Sequence, residues 1–184
     1  MLVDIVVKAV QTIKKPESHE PLDLFMVEIM HMSHKMGNDT QFINGLVLDH
    51  GRRNMDMPPS LKNCYILTCN VNLEDEQTEV AGGFFFENAK QREELFSTER
   101  AFVDRKVQKV IDLKRKVCKD NGKTFVMINQ KGIDPLCLAE LAAEGIFAVR
   151  RAKRRNMERM TLACGGKALN SFDDMTVEDL VRSC

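Results

Sequence analysis

The chain has no tryptophan and a single tyrosine, and only 6% of its residues are aromatic. An interface anchored on tryptophan is therefore excluded. An excess of charge of either sign is also missing, since 27 basic residues balance 27 acidic ones. Global charge thus names no polyanionic partner. No run approaches the roughly 20 apolar residues needed to cross a bilayer. The N-terminal MLVDIVVKAVQTIKK places its basic residues after the apolar ones, the wrong order for a secretory signal. The six cysteines, Cys64, Cys69, Cys118, Cys137, Cys164 and Cys184, have irregular spacings and mostly apolar neighbours. They read as reduced, buried thiols of a cytoplasmic protein and not as a disulfide framework.

Motifs for chemistry are absent as well. Neither G-x-x-x-x-G-K-[ST] nor G-x-G-x-x-G occurs, so nothing here cradles a nucleotide phosphate. Gly82-Gly83 and Gly165-Gly166 are isolated pairs suited to turns. His31 and His34, with His19 and His50, have no cysteine or carboxylate at a recognisable ligand spacing, and no structural zinc is expected. No base and orienter accompany any Cys or Ser, which leaves nucleophilic catalysis unsupported.

What is present is an ordinary globular composition, 43% hydrophobic and 29% charged over 184 residues. That suffices for one domain, with appended pieces of another. The clearest unit is KTFVMINQKGIDPLCLAELAAEGIFAVRR, from Lys123 to Arg151. Phe125–Asn129 and Gly145–Val149 are short strand-type runs. Between them Asp134 can cap a helix, Pro135 suits its first turn, and Gly145 ends it in a left-handed conformation. Strand, helix and strand at this length predict a βαβ unit with a parallel pair. At 100° per residue, Cys137, Leu138, Leu141 and Ala142 gather on one side. Leu136, Ala139, Glu140 and Ala143 gather on the other, a weakly apolar face where several charges would mark solvent. Two uses stand open for it, a second packing layer or a shallow groove for apolar segments of another chain. Periodicity alone favours the packing layer.

Around this unit, Leu2–Ile13 reads as an amphipathic helix, with Leu2, Ile5, Val6, Ala9, Val10 and Ile13 in one stripe. Strands are expected at Leu24–Ile29, Ile43–Asp49, Cys64–Cys69 and Lys167–Asn170, which makes a mixed sheet in an α/β fold. Asn72–Glu99 carries eight acidic residues against Lys90 and Arg92, and the trio Phe84, Phe85, Phe86. It reads as an insertion projecting from the core, in which Asn88 and Gln91 cap a short helix through Leu95 and Phe96, and two uses stand equally open for the Phe trio, folding back onto the core or meeting a partner. A separate long helix is expected from Ser97 or Thr98 to just before Asn121-Gly122. Phe102, Val103, Val107, Val110, Ile111, Leu113 and Val117 form its core side. A further helix is expected over Asn156–Ala163. The basic run Arg150–Arg159 could meet phosphates. Without interleaved aromatics it reads as a charged junction, with a nucleic-acid-binding module as the alternative.

The motifs taken together carry a resemblance. QKGID at Gln130–Asp134, followed by GIFAVRRAKRRNMERMTLACGG at Gly145–Gly166, resembles the apical domain of group II chaperonins. GLVLDHG at Gly45–Gly51, with Met57-Pro58 after it, matches that family's strand and proximal loop. TEVAGGFFF at Thr78–Phe86 and RKVQKVIDLKRKVC at Arg105–Cys118 are most similar to the zeta-type subunits of the eukaryotic cytosolic chaperonin (CCT, also called TRiC). The resemblance covers essentially the whole chain.

It implies an apical domain over 19–170 with a protrusion at about 72–99, flanked by intermediate-domain segments at 1–18 and 171–184. It also implies capture of unfolded client polypeptides, such as actin and tubulin, within a hetero-oligomeric double ring of chaperonin subunits. The face formed by Leu136, Ala139, Glu140 and Ala143, together with Arg52, Arg53 and Met55 of the proximal loop, would touch the client. Glu140 and the two arginines would select its polar residues. Val80, Phe84, Phe85 and Phe86 would belong to a built-in lid. ATP and magnesium would be held by an equatorial domain whose motifs this chain lacks. The chain itself is thus expected to bind no cofactor and to be an excised or truncated piece without ATPase activity. No membrane or nucleic-acid partner is implied.

Overall fold

The computed structural model describes residues 1–15, 19–74, 88–119, 122–173 and 175–182. The chain forms two compact units, Met1–Asp49 and His50–Cys184.

The first unit opens with helix α1, Leu2–Ile13, over the residues that the apolar stripe predicts. None of its residues is buried. The strands expected at Leu24–Ile29 and Ile43–Asp49 do not form. A single 3-10 turn spans Leu24–Met26, closed by the Asp23 carboxylate accepting from the Phe25 amide at 3.0 Å. Leu24, Phe25, Ile29 and Ile43 all stand exposed. An apolar run of strand type specifies a side-chain pattern but supplies no partner, and an unpaired strand is not stable alone.

The second unit contains a four-stranded sheet in the order β3-β2-β1-β4. Strands β1 (Cys64–Cys69), β2 (Thr124–Asn129) and β3 (Ile146–Val149) are parallel, and β4 (Val181–Arg182) runs antiparallel to β1. Cys64 pairs with Thr124, and Phe125 with Ile146. The parallel partners need crossovers, which α2 (Ala89–Cys118) and α3 (Pro135–Ala143) supply. Because the strands step in one direction across the sheet, both helices lie on one face and pack against each other. The core between helices and sheet is built from Leu67, Val107, Val110, Phe125, Met127, Leu141 and Ile146 with their neighbours. The fold is thus α/β with a mixed sheet.

Four further expectations are corrected here. Helix α2 is continuous, 30 residues and about 45 Å long, where a short helix and a separate long one were expected. Asn88 does cap its start, accepting from the Gln91 amide at 3.0 Å. Ser97 and Thr98 start nothing, because their hydroxyls bond back to the Glu94 carbonyl at 2.9 and 2.7 Å inside the helix. Phe102 is exposed, its ring lying under Lys106 Nζ at 4.4 Å. The strand expected at Lys167–Asn170 shrinks to one bridge between Leu169 and Cys69. Helix α4 runs over Arg154–Cys164 and leaves Cys164 exposed, not buried.

Candidate functional site

The turn Gln130–Ile133 leads from β2 into α3 and is gripped from both sides. Asn129, wholly buried at the end of β2, donates from Nδ2 to the Val71 carbonyl at 2.7 Å and to the Gly132 carbonyl at 3.4 Å. Its Oδ1 accepts from the amides of Val71 at 3.2 Å and Lys131 at 3.3 Å. The amide thus stands in for a neighbouring strand. Beyond it, Leu73 and Ile133 form a bridge, with the Asp134 amide donating to the Leu73 carbonyl at 2.9 Å. On the other side the Arg151 amide donates to the Lys131 carbonyl, and the Ala152 amide to the Asn129 carbonyl, each at 3.0 Å. Gly132 leaves room for the Glu74 carboxylate, which accepts from Arg151 Nη2 at 3.2 Å; a Cβ there would lie 2.0 Å from Glu74 Cδ.

This base presents α3. Asp134 accepts from the Leu136 amide at 3.0 Å, Pro135 occupies the first turn, and Gly145 closes the end at φ 70°. Cys137, Leu138, Leu141 and Ala142 are buried against the sheet, and Leu136, Ala139, Glu140 and Ala143 are exposed. Leu136 keeps 62% of its surface in water. The packing layer that periodicity favoured does not cover this face among the described residues.

Helix α2 clamps α3 at both ends. Arg100 donates from Nη1 to Asp134 Oδ2 at 2.9 Å, and its Nε forms an ion pair with Asp104 Oδ1 at 2.9 Å. Arg115 pairs with Glu144, and Lys114 Nζ lies 3.8 Å from the same carboxylate. Burial raises the Asp134 pKa, but the bonds from Arg100 and from the Leu136 amide outweigh it and hold the carboxyl below its ordinary value. The Arg115 hydrogen bond does the same for Glu144. The Cys137 thiol, beside Arg100, is pushed up to about 11, chiefly by burial.

The loop after His50 is tied to the same base. His50 Nε2 lies 2.9 Å from the Arg151 carbonyl, on the residue that also grips the turn before α3. Met57 is buried and anchors the loop, and Arg52 Nη1 donates to its carbonyl at 3.4 Å. Arg52 and Arg53 are exposed, and Met55 is 79% exposed at the loop's crest. Arg151 therefore links two surfaces that are some 80 residues apart in sequence. Neither its role nor those of Asn129, Arg100 and Arg115 is legible in periodicity. The one signal for them is that polar residues sit at the ends of apolar runs.

The basic run is largely engaged within the chain. Arg150 donates to the Ile133 carbonyl at 3.1 Å, Arg151 to Glu74 and Arg154 to Glu158 at 3.1 Å, while Arg159 is buried. Val80, Phe84, Phe85 and Phe86 lie outside the described residues. Among the described residues no group of three or more His, Cys, Asp or Glu could hold a metal ion. No helix there is long and apolar enough to cross a membrane.

Comparison with known proteins places this geometry. Human T-complex protein 1 subunit zeta-2 is 56% identical over 180 residues, 98% of this chain and 34% of its own length. The mouse protein of the same name is 54% identical over the same extent. The chain therefore spans about a third of the length of these curated relatives. Among solved structures, the open-state monomer of a group II chaperonin from Methanococcoides burtonii matches with a TM-score of 0.68 and 25% identity, covering 99% of this chain and 37% of that one. The family model described as the TCP-1/cpn60 chaperonin family matches residues 1–184. From the first residue to the last, this chain belongs to the TCP-1/cpn60 chaperonin family.

Proposed function

We propose that the chain is the polypeptide-binding apical part of a cytoplasmic, ATP-dependent chaperonin subunit that captures unfolded clients such as actin and tubulin. The observation that carries this reading is the outward face of α3, weakly apolar and exposed among the described residues yet held by ion pairs at both ends. Leu136, Ala139 and Ala143 offer a shelf for client side chains, and Arg52, Arg53 and Met55 offer a second contact from a loop fastened to the same base. Burying one client Leu or Phe contributes roughly 1.5–3 kcal/mol before ordering costs. One such part binds weakly. A hetero-oligomeric double ring of them binds by multivalency.

In this reading residues 19–170 are the apical domain, and 1–18 and 171–184 belong to an intermediate domain. The exposed apolar residues of α1 support a packing role for the first segment. Residues 72–99, with Val80 and Phe84–Phe86, contribute to the lid. ATP and magnesium act in an equatorial domain, so the 184-residue chain hydrolyses no ATP above background in a phosphate-release assay.

The test is Leu136→Asp in a client-retention assay with denatured actin. Retention is expected to fall about tenfold, as loss of one buried apolar contact implies. The melting temperature should move by no more than about 2 °C, as for a surface substitution. A melting loss as large as the binding loss would show Leu136 to be core and remove the reading.

A further inference from the structure

Among the described residues, the carboxylates on and beside α3 differ in their partners. Asp134 is taken by Arg100 and the Leu136 amide, and Glu144 by Arg115 and Lys114. The Glu140 side chain has no hydrogen bond or ion pair among the described residues. Arg100, Lys114 and Arg115 of α2 are thus already committed, and among the described residues Glu140 is the acid of the outward face beside Leu136, Ala139 and Ala143.

That acid decides what can lie on the shelf. A wholly apolar segment would strip water from the carboxylate and return nothing, which is costly. An acidic segment would add repulsion. A lysine or arginine would exchange water for an ion pair at the moment of burial. Leu136 and Glu140 are one turn apart, so their side chains are about 6 Å apart on the helix surface. In an extended segment that spacing matches an apolar residue and a cation two positions on.

Helix α2 carries a further exposed apolar side chain just before its contact with α3. Phe96, 55% exposed, lies one turn before Arg100 on α2. Arg100 in turn bonds Asp134, the residue that caps α3 beside Leu136. Along α2, Phe96 thus precedes by one turn the residue that bonds the cap of α3.

We propose that this face selects apolar segments carrying a lysine or arginine two residues from the apolar anchor, with the anchor between Leu136 and Phe96 and the cation on Glu140. The inference rests on the polypeptide-capture reading above and narrows it to a class of client sequence.

The experiment is a 15N–1H chemical-shift titration of the full 184-residue chain with three soluble, unstructured peptides. They are identical except that the residue two positions after a central leucine is Lys, Gln or Glu. Affinity should fall in the order Lys, Gln, Glu, with Lys about two- to fivefold over Gln at low salt, the size of an exposed ion pair. The preference should vanish at roughly half-molar salt. Shifts should centre on residues 136–143. Glu140→Gln should level the three affinities, and Phe96→Ala should weaken all three alike. A lysine preference that survives Glu140→Gln, three equal affinities for the unaltered chain, or no effect of Phe96→Ala would overturn the inference and leave capture standing. No shift on α3 with any peptide would overturn the capture reading itself.

Discussion

Asn129 makes its contribution from the wholly buried end of β2, where its amide bonds the backbone of Val71 in both directions and closes the turn at Lys131 and Gly132. Asn129→Ala leaves several of these groups without partners in a space closed to water, at about 3 kcal/mol in total. For a chain of this size the melting temperature should drop by roughly 6–12 °C. Hydrogen exchange should quicken first at the Val71 and Lys131 amides. A variant that melts within 2 °C of the parent would show that water or a relaxed backbone replaces the side chain. A few residues away the logic is different. Leu136 and Leu138 are two positions apart on one helix, but the first is exposed and the second lies against the sheet. Leu136→Asp is expected to cost binding, whereas Leu138→Asp would bury an unpaired charge and cost the fold.

At the scale of elements, α3 is short at nine residues, and its own propensity cannot hold it. It is held by its cap, its buried face and the ion pairs to α2. Asp134 and Glu144 both have pKa values below the ordinary carboxylate range. Such a group binds fewer protons folded than unfolded. Its contribution is complete above the unfolded value near 4 and fades as pH falls through the folded value. Thermal melts between pH 7 and pH 2 should therefore fall more steeply for the parent chain than for Asp134→Asn, with the two curves converging at the acid end. Parallel curves would show that Asp134 ionisation contributes nothing. Helix α2 shows why boundaries are harder to read than faces. A serine and a threonine after a polar stretch fit a helix start, but the same hydroxyls can bond back to the Glu94 carbonyl in mid-helix. Local sequence permits both, and the longer run of helix-forming residues decides.

For the molecule as a whole, the cysteines report on the fold. Burial pushes the Cys69 thiol up to about 12 and Cys137 to about 11, whereas Cys164 is exposed at the last residue of α4. Iodoacetamide at pH 8, read by peptide mass spectrometry, should label Cys164 at least about a hundredfold faster than Cys69 or Cys137, since only the thiolate reacts. Denaturant should remove the difference, and equal native rates would contradict the core as described. The sequence by itself determined the βαβ unit, its cap and stop residues, and the two faces of α3, because each is local: a period of 3.6, a proline, a glycine. It also determined family membership, through motifs read together over the whole chain. The tertiary structure alone decided which strands find partners, so that Cys64–Cys69 joined a sheet and Leu24–Ile29 did not. It alone brought His50 to Arg151 and Arg100 to Asp134. Pairings between distant residues depend on the path of the backbone between them, and no periodicity in the chain encodes that path.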